Sequence, residues 1–369
     1  MVYKEYKEDM EAAKQRMDAW WDHEITDRPV IAYYCPRADI PTRGVWDPWF
    51  LAKKNDDFDG AINNFEDKIV AIKFGGELIP NFIPTYGPGV IASVLGAEAH
   101  YYSETVWFSY PGTLDTVVSV LESAKLDFNN PWYARLMHVT ERAAERAGDK
   151  YQVDITDLGG IMDIIASFLK PKDIFYAMKN KPEIIDQCRQ IVLEKTLQVY
   201  DDLQKRIEPR CHGCCGWLQV WGRKRWYPIQ CDFAYMLSPK WFKRFVLPDI
   251  VAQARHMDYA IYHLDGVNQL LYLDDLLAAP EITGIQWVPG AGKPVPGTDD
   301  WMPVFKKIQA AGKNVVGTDV TPEYVARMYK DLDPRGLYVF TIFLGQMIAD
   351  FYLPEFMGGR GGVDEDEEA

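Results

Sequence analysis

Between Met257 and Pro294 the chain reads MDYAIYHLDGVNQLLYLDDLLAAPEITGIQWVPGAGKP. That stretch restricts the fold more than any other. Tyr259-Ala260-Ile261-Tyr262 is a short apolar run ending in His263-Leu264-Asp265-Gly266, and Gly284-Ile285-Gln286-Trp287-Val288 is a second one ending in Pro289-Gly290-Ala291-Gly292. Between them, Leu270, Leu271, Leu273, Leu276 and Leu277 recur at helical spacing, and Pro280 stops the helix. A strand, a helix and a second buried strand form a βαβ unit, which demands a parallel sheet. The polar groups at the carboxyl ends of such strands face the ligand.

The rest of the chain repeats this alternation. Strand candidates start near 30, 79, 152, 211, 259, 284, 314 and 337, and most intervals hold a helix. Residues 3–24 read as an amphipathic helix, Asn130-Pro131 as a helix start running to about Gly148, and further helices begin at Pro182 and near Ser238-Pro239. Residues 46–73 carry helical spacing, and the segment 77–84 reads as an irregular, proline-broken strand crossing the mouth of a site. Eight strands alternating with helices give an α/β chain of the (β/α)₈ barrel type. An open doubly wound sheet would announce itself by a glycine-rich phosphate loop after a strand, and no such motif is present. One barrel domain over residues 1–357, including the N-terminal helical extension, is expected, followed by an acidic flexible tail over 358–369.

Charge and composition narrow the partners. The formal net charge is −14, with five acidic residues in the run 364–368, so nucleic acid is not an expected partner. No stretch approaches the roughly 18 apolar residues of a membrane helix, and the start MVYKEYKEDMEAAKQRM has no apolar signal region. A cytoplasmic protein without membrane contact is expected. Six cysteines in 369 residues are too sparse for a disulfide framework, so reduced thiols are expected.

The order DRPVIAYYCPR, then DLGG near 157, then QCDFAYMLSPKWFKRFVLP, then YHLDG, then GIQWVPGAG resembles the uroporphyrinogen decarboxylase superfamily, in its branch near the corrinoid-dependent methyltransferases. The resemblance spans nearly the whole chain and implies a (β/α)₈ TIM barrel. It implies one of two chemistries. In the decarboxylases, arginines after the first strand clamp substrate carboxylates and an Asp contacts pyrrole nitrogens. In the methyltransferases, a His-x-Cys and a later Cys bind zinc. Here the arginine cluster is reduced to Arg37, the His-x-Cys becomes His263-Leu264-Asp265, and no Cys follows Cys231.

His263 and Asp265 therefore read in three ways: as ligands of zinc or another divalent ion that needs at least one more, as a general base with its orienting carboxylate, or as a structural pair. Asp232 matches the family's active-site Asp and joins them as a catalytic candidate. Arg37, Glu77, Asn81 and Asp157 are expected around the substrate, Glu77 and Asn81 at the mouth. Trp217, Cys231, Tyr262, Gln286 and Trp287 are the candidates for the substrate wall. Cys231 lacks a positive neighbour and is not expected to be a nucleophile. Cys211-His212-Gly213-Cys214-Cys215 reads as a strand, carrying either a His-x-Cys metal pair or small core residues.

Three functions stand open. The first is a methyltransferase moving a methyl group between a small molecule and a corrinoid-carrying partner protein or a thiol, with zinc as the implied metal. The second is a cofactor-free decarboxylase acting on a pyrrole-type or other carboxylated substrate. The third is a non-catalytic binding protein for a tetrapyrrole or small acid. A homodimer is the assembly the resemblance allows.

Overall fold

The computed structural model describes residues 6–354, apart from 55, 103 and 104. The expected tail at 358–369 lies outside the described residues. The strands are β1 (Ala32–Pro36), β2 (Ile72–Gly76), β3 (Asn81–Phe82), β4 (Glu98–Tyr101), β5 (Val106–Ser109), β6 (Gln152–Val153), β7 (Trp226–Gln230), β8 (Tyr259–Asp265), β9 (Gly284–Val288), β10 (Asn314–Gly317) and β11 (Leu337–Ile342). The main sheet runs β2-β1-β11-β10-β9-β8-β7. Every pair in it is parallel except β1 with β2. The last strand thus pairs with the first. A short parallel pair, β3 with β6, carries the remaining two of the eight expected positions.

Helices cover the sheet because their sequences permit it. Asn130 caps the Pro131–Ala147 helix by accepting from the amides of Trp132 and Tyr133, and Ser238 caps Pro239–Phe245 in the same way through Trp241. The Pro182–Ile207 helix buries Ile185, Cys188, Val192, Val199 and Leu203 along one side, at the spacing that gives a single apolar stripe. Met10–Trp21 is the observed core of the expected N-terminal helix, and its Trp21 ring stacks on Tyr259 at the start of β8.

One expected strand is not a strand. Cys211–Val220 forms turns with a lone bridge between Cys214 and Gly222, and the strand is β7, inside what reads from sequence as a basic, aromatic link. Pro228 sits in β7 facing Gly216, so its missing amide and its ring fit against a residue with no side chain. The turn segment packs on side chains from both halves of the sheet. Cys215 donates its amide to Asp154 after β6, and Tyr34 of β1 and Tyr338 of β11 donate their hydroxyls to Gln219. The proline-broken segment 77–84 yields only the two-residue β3, while β2 and the β4–β5 hairpin arise where no strand is expected.

Candidate functional site

Strand alternation decides which residues of β8 and β9 can meet. His263 and Asp265 lie two residues apart and share one face, and Gln286 is the register partner of His263 on β9. Gln230 of β7 is its register partner on the other side. These side chains form a polar belt near the carboxyl ends of the strands. Gln230 Nε2 donates to Asp157 Oδ1 at 3.1 Å, and Gln286 Nε2 donates to Thr318 Oγ1 at 2.6 Å. The Gln286 amide oxygen is thereby turned toward His263 Nδ1, with which it makes a short hydrogen bond. An amide oxygen only accepts, so Nδ1 is the donor in this bond.

Asp232 follows β7 and reaches the same place. One ligand atom from each of Asp232, His263 and Asp265 lies within 4.8 Å of the others. Asp163 fixes the backbone there, accepting from the amides of Asp232 at 3.0 Å and Phe233 at 2.6 Å. Gly266 holds a left-handed φ of 84° directly after Asp265, and a Cβ there would press on the Tyr235 ring. At Gly159, φ is 85° and a Cβ would lie 2.5 Å from Gly89 Cα, so the turn after Asp157 also requires glycine.

Carboxylates crowd this end of the sheet. Loss of hydration pushes Asp157 up to about 6, with the Gly159 amide opposing and the Asp232 charge adding to the rise. Asp163 is pushed up to about 7, again by loss of hydration first and by Asp232 second. Asp232 itself is raised by loss of hydration, His263 pulling it down and Asp265 pushing it up. Two cavities open beside this belt, and His263 itself lines neither. One, of about 420 Å³, is lined by Asp232, Tyr235, Asp265, Gln269, the Pro289–Ala291 turn and Lys293. The other, of about 210 Å³, is lined by Trp217, Leu218, Gln219, Gln286, Thr318, Asp319 and Phe340. Trp217 meets His263 edge to face, with ring centres 5.1 Å apart.

Of the residues expected from sequence, Asp157, Trp217, Asp232, His263, Asp265 and Gln286 come together. Others do not. Tyr262 and Trp287 sit on the opposite strand face from His263 and Gln286: the Tyr262 hydroxyl donates to Gln269, and the Trp287 ring packs on Trp301. They are core, because neighbouring residues of a strand point to opposite sides. Glu77 is fully buried at the amino end of β1, held by Arg28, Arg16 and the Ile31 amide, and does not line a mouth. Asn81 is buried and donates to the Gly216 carbonyl. Arg37 pairs with Asp39 and lines a separate groove with Lys73 and Gln346. Cys231 is buried, and burial drives its thiol well above the usual range, as it does for Cys214 and Cys215. Those two are core residues; His212 is exposed, so the His-x-Cys metal pair does not form.

Sequence reasoning missed Asp163, Gln230 and Thr318. Gln230 and Thr318 each close a strand at its carboxyl end, the signal that singled out His263 and Gln286. Asp163 lies in the first turn of a helix, where an acid passes for a capping residue.

The fold is similar to that of a methyltransferase from Methanosarcina mazei, with a TM-score of 0.56 and 13% sequence identity, over 90% of this chain and 93% of that chain. At that identity the likeness is one of fold. Macrophomate synthase aligns over 63% of this chain and 85% of that chain at 12% identity, but its TM-score of 0.23 carries no argument. No family model and no curated protein matches the sequence.

Proposed function

We propose that this chain is a methyltransferase on a (β/α)₈ barrel of the uroporphyrinogen decarboxylase type. It moves a methyl group between a small molecule and a thiol or a corrinoid-carrying partner protein. The parallel pairing of β11 with β1 and the β3–β6 pair support a closed barrel. The observation that carries the reaction is a cluster whose carboxylates, Asp232 and Asp265, line one cavity while its imidazole, His263, touches Trp217 and Gln286 of the wall of a second. A transfer reaction needs room for two partners on either side of one activating centre.

Asp232, His263 and Asp265 fit a divalent ion, with zinc the first candidate. Two carboxylates and one imidazole suit a borderline cation, and three protein ligands leave a position for substrate. The imidazole is prepared for it, since Gln286 and Thr318 fix the ring through its other nitrogen. When bound, such an ion lowers the pKa of a thiol or polarises a substrate atom. The remaining work belongs to the chain: Asp163 holds the Asp232 backbone in place, and Asp157, raised toward neutrality, can hold a proton beside His263. Arg37, the arginine that would clamp a carboxylate in a decarboxylase of this type, lies in another groove.

Elemental analysis of the purified protein tests the reading. About one equivalent of zinc is expected in the wild type and none in His263→Ala. Metal missing from both after growth in zinc-replete medium would return the site to cofactor-free acid–base chemistry or simple binding.

A further inference from the structure

We propose that the small cavity beside His263 is a subsite for a methylated ammonium cation, the methyl donor of the reaction. This rests on the transfer reading above and names its substrate class. Two aromatic rings, Trp217 and Phe340, line the cavity, and the exposed Asp319 carboxylate stands at its rim. Aromatic rings with a nearby carboxylate attract a cation whose charge is spread over methyl groups. No Lys or Arg is among the described residues lining it, so an anion finds no partner there.

Part of the polar lining is already engaged within the protein, while the Trp217 indole N–H is buried without a partner. The Gln286 side chain is shared between His263 and Thr318, and the Gln219 side-chain and main-chain oxygens accept from Tyr34 and Tyr338. The amide groups of Gln286 and the oxygens of Gln219 are thus not open to a ligand that relies on directional hydrogen bonds. A quaternary ammonium group needs none. The volume of about 210 Å³ equals roughly seven water molecules in liquid, room for a trimethylammonium head with a short arm.

The backbone marks the same place. Gln219 and Asp319 hold left-handed φ values of 60° and 57°, and they are two of the three non-glycine residues with positive φ among the described residues. Such conformations cost energy and persist where the surroundings impose them, most often around ligands. In the transfer, a thiolate sulfur donates its electron pair to the methyl carbon as the carbon–nitrogen bond breaks. The bonding pair stays on nitrogen, giving a methyl thioether and a neutral tertiary amine. The amine has lost the charge that held it, which favours its release.

The test is calorimetric titration of choline into the full chain, with metal content measured on the same sample. Saturable binding is expected, weakened about two- to fivefold in Asp319→Asn. Asparagine tolerates the left-handed backbone, so this variant keeps the fold. The neutral isostere 3,3-dimethylbutan-1-ol should bind at least about fivefold more weakly than choline. The subsite is overturned if metal-loaded protein ignores choline, if the isostere binds as well, or if Asp319→Asn binds choline unchanged. Choline binding that depends on Asp319 in protein free of metal would uphold the subsite and sink the metal-centred reading instead.

Discussion

Glu77, at the amino end of β1, and Asp157, past the carboxyl end of β6, are carboxylates treated in opposite ways. Glu77, fully buried at the amino end of β1, accepts from Arg28 at 2.7 and 3.0 Å, from Arg16 at 3.3 Å and from the Ile31 amide at 2.8 Å. Asp157, half-buried, receives only the Gly159 amide and the Gln230 side chain, while Asp232 stands near it with the same charge. Glu77 lies deeper, yet it is the better compensated of the two. A buried charge with a full set of partners serves the fold, and one left among like charges is available for chemistry.

The contrast breaks first at Arg28. Arg28→Ala leaves Glu77 buried and short of its main partner, and a loss of about 3–5 kcal/mol in urea unfolding is expected. Metal content of the folded fraction should not change. If Arg28→Ala costs under about 1 kcal/mol, Glu77 is not held as described. The opposite sign is expected at Asp157. Because folding raises the Asp157 pKa, the folded state binds the extra proton, and stability falls as pH rises from about 4 to about 6. Asp157→Asn removes that loss and accepts the same two hydrogen bonds. In metal-depleted protein it should gain about 3 kcal/mol at pH 8 and almost nothing near pH 4. A uniform gain at both pH values would separate its effect from the charge.

Gln286→Leu sharpens the comparison within the site. The imidazole loses the acceptor that sets its tautomer, and metal affinity should drop about tenfold to a hundredfold in a competition titration with a chromophoric chelator. Tyr262→Phe gives the smallest effect. It removes one buried hydrogen bond to Gln269, costs about 1 kcal/mol, and leaves metal affinity where it was. A changed affinity would mean that the outer face of β8 reaches the site after all.

The sequence exposes the two strands at 259 and 284 because each is an unbroken apolar run ended by glycine, and the structure keeps both. It also places His263, Asp265 and Gln286, since a strand's carboxyl end is readable without knowing its neighbours. Tyr262 and Trp287 fall outside the site for a reason the pleat supplies: a one-residue step changes the face. Strand β7 hides behind Pro228 and the basic residues before Trp226, while the apolar CHGCCGWLQV mimics a strand without being one. The small cavity was beyond reach, because Trp217, Asp319 and Phe340 meet only through tertiary contacts.

The turn segment 211–222 also governs how such a chain can assemble. Trp21 donates to its Trp221 carbonyl across 200 positions of sequence, Tyr34 reaches Gln219 across 185, and Tyr338 across 119. Contacts so distant in sequence slow folding and tie early and late segments into one cooperative step. A fragment ending before residue 211 would leave the interior of β1 without its filling, and one starting after 222 would do the same to β11. Half of this chain is therefore not a folding unit, and the centre at His263 matures only when the early and late segments have packed around those twelve residues.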